Sequence, residues 1–296
     1  MVEMPHTTEG SSRAERTSGR RSRFSYALRK APLNVKLCFA VVAVYLFAVF
    51  FAGLIAPFGE SELVSPEPFG PWNSVNLLGT DQLGRDVLSR LIYGARNSIG
   101  IAVVTTAIAF LLGGTLGIIA ALFRGWVDQV VARVIDVFMA IPQLIFALML
   151  LSIFGTSIQN LIIIIAVLDS TRVFRLARAL AMNVAVTDYV ESAQLRGENL
   201  LWLIAHEILP NIRPILVAEF GLRFCFVFLT ISSLSFLGLG VQPPTADWGS
   251  MVRENASLIT FGDLTPLVPA TAIAVITVAI NFIVDWYLQI SGASNG

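Results

Sequence analysis

Apolar residues fall into long runs along this chain, separated by short polar stretches. Runs over Leu37–Phe58, Ser98–Phe123, Val134–Phe154, Ile215–Leu239 and Pro266–Ile290 match the ~20 residues a helix needs to cross a hydrocarbon core. A sixth run, from Ile158 to about Leu180, is apolar through Leu168 and is then interrupted by Asp169, Arg172 and Arg175. Charges at membrane depth are costly unless they face protein or water. Two placements are therefore open: the second half of this helix projects into the cytoplasm, or its charges line a cavity. The basic character beyond Arg172 favours projection. The pattern predicts an all-α integral membrane protein with six transmembrane helices.

The longest polar segment between runs is residues 183–213. Asp188, with Glu191 three residues later, has the spacing of an N-cap and its reciprocal carboxylate. A short helix is predicted from there to about Arg196. Gly197 supplies a turn where positive φ costs little, and Asn199 is placed to cap a second short helix. That helix carries Leu200, Leu201, Leu203 and Ile204, and Pro210 and Pro214 are read as its end. An apolar helix with no core of its own marks either a docking partner or a helix resting on the bilayer surface.

On the other side lies Gly59–Asn97. It is rich in proline and glutamate through Trp72 and is read there as extended. From about Gly84 it becomes amphipathic, with Val87, Leu88, Leu91 and Ile92 on one face and an i,i+4 pair of Asp86 and Arg90. The remaining polar features are few. Glu219 and Arg223, four apart inside the fifth span, share a face; they are either part of a translocation path or a pair that neutralises itself against a neighbouring helix. No internal repeat of the kind that marks many secondary transporters is present.

Composition narrows the class. Of 296 residues, 55% are hydrophobic and only 14% charged, against roughly 25% charged in soluble domains. A net charge of zero argues against nucleic acid as a partner. Its distribution sets orientation: with the N-terminus inside, fifteen of the 20 Lys and Arg fall on the cytoplasmic side. Eight of these lie in a basic tail, residues 1–36, of which residues 1–30 are read as disordered. The expected layout is therefore tail 1–36, first span 37–58, outer loop 59–97, a five-helix core 98–290 containing the loop 183–213, and a cytoplasmic C-terminus 291–296. Cys38 and Cys225 lie in apolar runs, and the histidines are His6 and His206, so no Cys/His metal site is expected. The chain contains no G-x-x-x-x-G-K-[ST] phosphate loop, nor a converging catalytic set.

At the polar loop the chain resembles the permeases of binding-protein-dependent ABC importers. Their coupling loop reads Glu-Ala-Ala, then Gly four residues on, then Leu-Pro; Glu191, Ser192, Ala193, Gly197, Leu209 and Pro210 match, with Ser192 in place of the middle alanine. LGTDQLGRDVLSRLIYGARNS, Leu78–Ser98, and SFLGLGVQPPTADWGSM, Ser235–Met251, resemble two further blocks of the C-type permeases of dipeptide, oligopeptide and nickel importers. Asn281 and Asp285 fit the last span, where Val284 replaces the usual glycine. The resemblance implies the type I importer permease fold and a bacterial inner-membrane location. It also implies a related second permease, two ATP-binding subunits carrying ATP and Mg, and an extracytoplasmic binding protein. No cofactor is expected on this chain. The loop, with Leu200, Leu201 and Ile204 at its contact, would dock on the ATPase. Asp81, Asp86 and Trp248 are the expected docking points for the binding protein. Nickel or another small solute, a gradient-driven transporter and a membrane-embedded enzyme are the competing readings.

Overall fold

The structure, a computed structural model, describes residues 31–123 and 125–292. The basic tail up to residue 30 and the last four residues lie outside the described residues. What is described is helical, and the outer segment adds only two isolated bridges, Leu63 with Arg85 and Thr80 with Asp86.

Helix α1 (Leu33–Ile55) runs beside α2 (Val87–Phe123) and α10 (Leu267–Gly292). Aromatic edges hold it there. Phe39 meets Trp286 at 5.8 Å, Tyr45 meets Trp248 at 5.7 Å, and the Tyr45 hydroxyl donates to the Ala272 carbonyl. The amphipathic outer helix and the second span, expected as separate elements, are one helix. No proline falls between Val87 and Phe123, and α2 spans 37 residues, or about 55 Å at 1.5 Å per residue.

The most extensive packing is between α2 and α5 (Ile158–Val184). Small residues permit it. A Cβ on Gly113 would lie 2.2 Å from the Ser170 carbonyl oxygen, and one on Gly117 would lie 2.6 Å from that of Phe174. Helix α5 is capped by Ser157, which accepts from the Asn160 N–H. Its buried face continues from Leu161 through Ala181, because Ala177 and Ala181 pack with Ile118 and Ala121 of α2. Asp169 is on that face, 1% exposed, whereas Arg172 and Arg175 are on the exposed one. Asp169 therefore faces protein.

The run Val134–Phe154 is not one straight span. It is divided between α3 (Gly125–Ala140) and α4 (Gln143–Phe154), which meet at 89°. Pro142 sits at the bend; it has no N–H for the preceding turn and disfavours helical backbone at Ile141. Asp128 of α3 pairs with Arg178 of α5, tying the two helices together.

The polar loop forms α6 (Asp188–Leu195) and α7 (Leu200–Trp202). A π turn (Leu203–Ile208) joins α7 to α8 (Leu209–Phe236) without a break. Pro210 and Pro214 therefore do not end the second loop helix. The π turn, closed by the Leu209 N–H on Ile204, lies just before them; such a widened turn lets a helix absorb missing N–H donors. Beyond α8, the chain makes α9 (Trp248–Asn255) and a 3₁₀ turn (Ala256–Phe261) before α10.

Among the described residues, α1, α2, the α7–α8 rod and α10 are long and apolar enough to span a membrane, and the bent α3–α4 pair makes a fifth candidate. Helix α5 has the length, at 27 residues, but carries Asp169, Arg172, Arg175 and Arg178.

Candidate functional site

The loop between α5 and α8 folds as a compact helical hairpin. Thr187, extended at φ −85° and ψ 147°, precedes α6, and Asp188 is already its first helical residue. The expected Asp188 cap is thereby corrected: Thr187 takes that position and turns its hydroxyl onto the Val184 carbonyl. Asp188 and Glu191 still occupy the first turn, where negative charge suits the helix dipole. Gly197, at φ +80°, closes the helix. Its N–H bonds the Gln194 carbonyl and that of Glu198 bonds Ala193, the paired bonds of a Schellman turn. Asn199 caps the next helix by accepting from the Trp202 N–H at 2.8 Å.

Val190, Ala193 and Leu203 pack beneath this turn with Val184 and Trp202. The buried alanine of the Glu-Ser-Ala triplet thus lets α6 lie close to the π turn. Glu191 and Ser192 are exposed, the latter donating to the Asp188 carbonyl. Leu201 points outward at 76% exposure, but Ile204 is half-buried against Ile208 and its neighbours. Leu200 is half-buried, while Leu209 and Pro210 are exposed. Sequence reasoning missed Leu195, which is 83% exposed; its signal was an apolar side chain at the last position of a short helix, two residues from buried Ala193.

A second cluster lies inside the bundle. Arg223 Nε is 2.7 Å from Glu219 Oε1, and the guanidinium sits 4.7 Å from the Phe226 ring centroid. Its other neighbour is Asp169 of α5, with Oδ1 3.9 Å from Arg223 Nη1. The expected pair is formed, and a third charge joins it from another helix.

The third cluster is on the outer side. Asp81 pairs with Arg85 at 2.7 Å and Arg90 at 3.3 Å, and Glu254 reaches the same arginines at 3.2 and 3.3 Å. All four side chains are 4% exposed or less. Asp86 does not pair with Arg90; it accepts from the Ser89 N–H and hydroxyl, because Arg90 is drawn to Asp81 and Glu254. Trp248 is 1% exposed, donates Nε1–H to the Leu91 carbonyl, and fills the space left by Gly94. Asp247, the N-cap of α9, accepts from the Ser250 N–H and from Ser98, 149 residues away. Burial pushes its carboxyl up, while the hydrogen bonds from Ser250, Ser98, Ser235 and Gly249 pull it down. The blocks Leu78–Ser98 and Ser235–Met251 thus form one packed unit. Burial leaves Asp81, Asp86 and Trp248 no free surface for a docking protein. The exposed outer face carries Trp72, Leu77, Phe261 and Leu264 instead; Trp72, Leu77 and Leu264 line a cleft of about 480 Å³ there. No group of three or more His, Cys, Asp or Glu suited to a metal occurs among the described residues.

Residues 113–294, more than half of the chain, match the family described as binding-protein-dependent transport system inner membrane component. The chain belongs to this family. Its relatives are permease subunits. The chain is 34% identical over 267 residues to the di/tripeptide transport system permease protein DppC of Pseudomonas aeruginosa, covering 88% of this chain and 87% of the relative. It is 33% identical to the dipeptide transport system permease protein DppC of Haemophilus influenzae, covering 79% and 81%. It is also 33% identical to the glutathione transport system permease protein GsiD of Pectobacterium atrosepticum, covering 73% and 71%. This permease is a multi-pass membrane protein with the all-helical fold of type I ABC importer permeases.

Proposed function

We propose that this permease forms half of an import path for short peptides and is driven by ATP-binding subunits docked on the hairpin Asp188–Pro210. One observation carries the coupling reading. Leu195 and Leu201 stand 83% and 76% exposed, well above Tyr189 and Leu209 at 43% and 40%, on a hairpin whose Val190, Ala193, Leu203 and Ile208 are buried, and α7 runs on into α8. A partner that covers those leucines gains apolar burial and holds a lever that reaches the bundle.

The peptide reading rests on the names of the three relatives above, permease proteins of di/tripeptide, dipeptide and glutathione transport systems. The same reading supplies a related second permease, two ATP-binding subunits with ATP and Mg, and a binding protein outside. It places both termini in the cytoplasm and makes α5 the sixth span. The binding protein docks on the face with Trp72, Leu77, Phe261 and Leu264, held in shape from beneath by the Asp81 network. Glu219 and Arg223 face the path or its wall.

Uptake of a labelled dipeptide into vesicles carrying the full transporter tests this. ATP is expected to drive uptake that persists when the proton gradient is collapsed. Uptake that continues without the ATP-binding subunits and stops with the gradient would show a gradient-driven transporter instead.

A further inference from the structure

Arg223 has one carboxylate ion-paired with it at close range and a second within reach. Glu219, one turn away on α8, is 2.7 Å from Nε. Asp169 of α5 is 3.9 Å from Nη1, beyond hydrogen-bonding distance. Asp169 is 1% exposed, and neither of its oxygens has a hydrogen-bond partner; Arg223 Nε and Nη1 lack one too. Arg172, one turn along α5, is exposed beside Phe138, Met139 and Gln143. A buried carboxylate without hydrogen bonds is unfavourable. Closing a gap of about 1 Å would relieve it, since a guanidinium carries five donors in a fixed fork.

The movement has a mechanical source. The rod from Leu200 to Phe236 is continuous, so a push on the hairpin reaches Glu219 and Arg223 through the π turn and Pro214. The ring of Phe226 at 4.7 Å gives the guanidinium an apolar floor along which to swing.

We propose that Arg223 is a positioning residue shared between two carboxylates, paired most closely with Glu219 in this state and with Asp169 in the other state of the transport cycle. The exchange holds the orientation of α8 against α5 at each end of its travel. Bistable packing elements of this kind turn small displacements into discrete states. The proposal rests on the reading that ATP drives the hairpin.

The test uses the complete transporter in vesicles and dicyclohexylcarbodiimide, an apolar reagent that modifies membrane-buried carboxyl groups lacking a cationic partner. Modification of Asp169 and Glu219 is read by mass spectrometry, once without nucleotide and once with ATP held by hydrolysis-deficient ATP-binding subunits. Asp169 is expected to react without nucleotide and to be protected by about fivefold or more with ATP, a typical allosteric coupling, while Glu219 changes the opposite way. In Arg223→Gln both carboxyls should react alike in both states. A purely structural ion pair would leave each pattern unmoved by ATP. Equal modification of Asp169 in the two states, or none without nucleotide, overturns the proposal even where uptake is ATP-driven. Absence of ATP-driven uptake would fall on the parent reading.

Discussion

At Gly113 the missing side chain sets how closely α2 approaches α5. A Cβ there would lie 2.2 Å from the Ser170 carbonyl oxygen, a contact with backbone that no rotamer change relieves. Gly100, on the same helix, has nothing within 4 Å of its added Cβ. The two positions therefore separate packing from propensity. Gly113→Ala is expected to lower stability by about 1–3 kcal/mol, the usual cost of overpacking. Gly100→Ala is expected to be neutral or to gain up to ~1 kcal/mol from helix propensity. Thermal unfolding of both variants in detergent checks this; equal behaviour would remove close packing as the role of Gly113. The cap of α6 and the partner of Arg90 were not legible at this scale. Thr187 and Asp188 both suit an N-cap, and only the extended backbone at Thr187 decides between them. Asp86 and Arg90 have ion-pairing spacing, yet Glu254, 164 residues from Arg90 along the chain, wins the arginine. Spacing reads local partners and is silent about distant ones.

At the scale of elements, the hairpin was the most legible part because its signals are local. A glycine at positive φ, a capping asparagine and alternating apolar positions each act within a turn. Gly197 carries the strictest demand. A side chain there meets no neighbour, so its cost is conformational, about 1–2 kcal/mol for a left-handed residue. Gly197→Ala should therefore speed hydrogen exchange in Asp188–Leu195 and reduce uptake, with Gly197→Asn milder; unchanged exchange in both would contradict the turn's role. The proline-bearing elements were harder to read. Pro142 bends its span by 89°, whereas Pro210 and Pro214 leave theirs continuous. The difference lies in the adjoining backbone: a π turn precedes the latter pair, and no sequence pattern announced it. The split between outward Leu201 and inward Ile204 follows from the same turn.

Across the whole molecule, two blocks far apart in sequence close over one another on the outer side. Their anchor is a buried set of two arginines and two carboxylates, Glu254 lying just past the second block, with Trp248 bonded to the Leu91 carbonyl next to Arg90. Each block was visible as a motif, but their union was not, because it depends on the path of the spans between them. Arg90→Met would leave Glu254 and Asp81 to Arg85 alone, and breaking a buried pair typically costs about 3–5 kcal/mol. A drop in unfolding temperature with loss of the outer structure is expected; full retention would mean the network is dispensable. The central claim concerns the other face, where the hairpin offers Leu195 and Leu201 to a partner. Reconstituting the transporter with Leu201→Asp, alone and with Leu195→Asp, measures it directly. ATP-driven uptake should fall at least about tenfold, in keeping with a central apolar contact worth ~2 kcal/mol, while the permease keeps its unfolding temperature. Normal uptake by the double variant would contradict the account and place the coupling contact elsewhere.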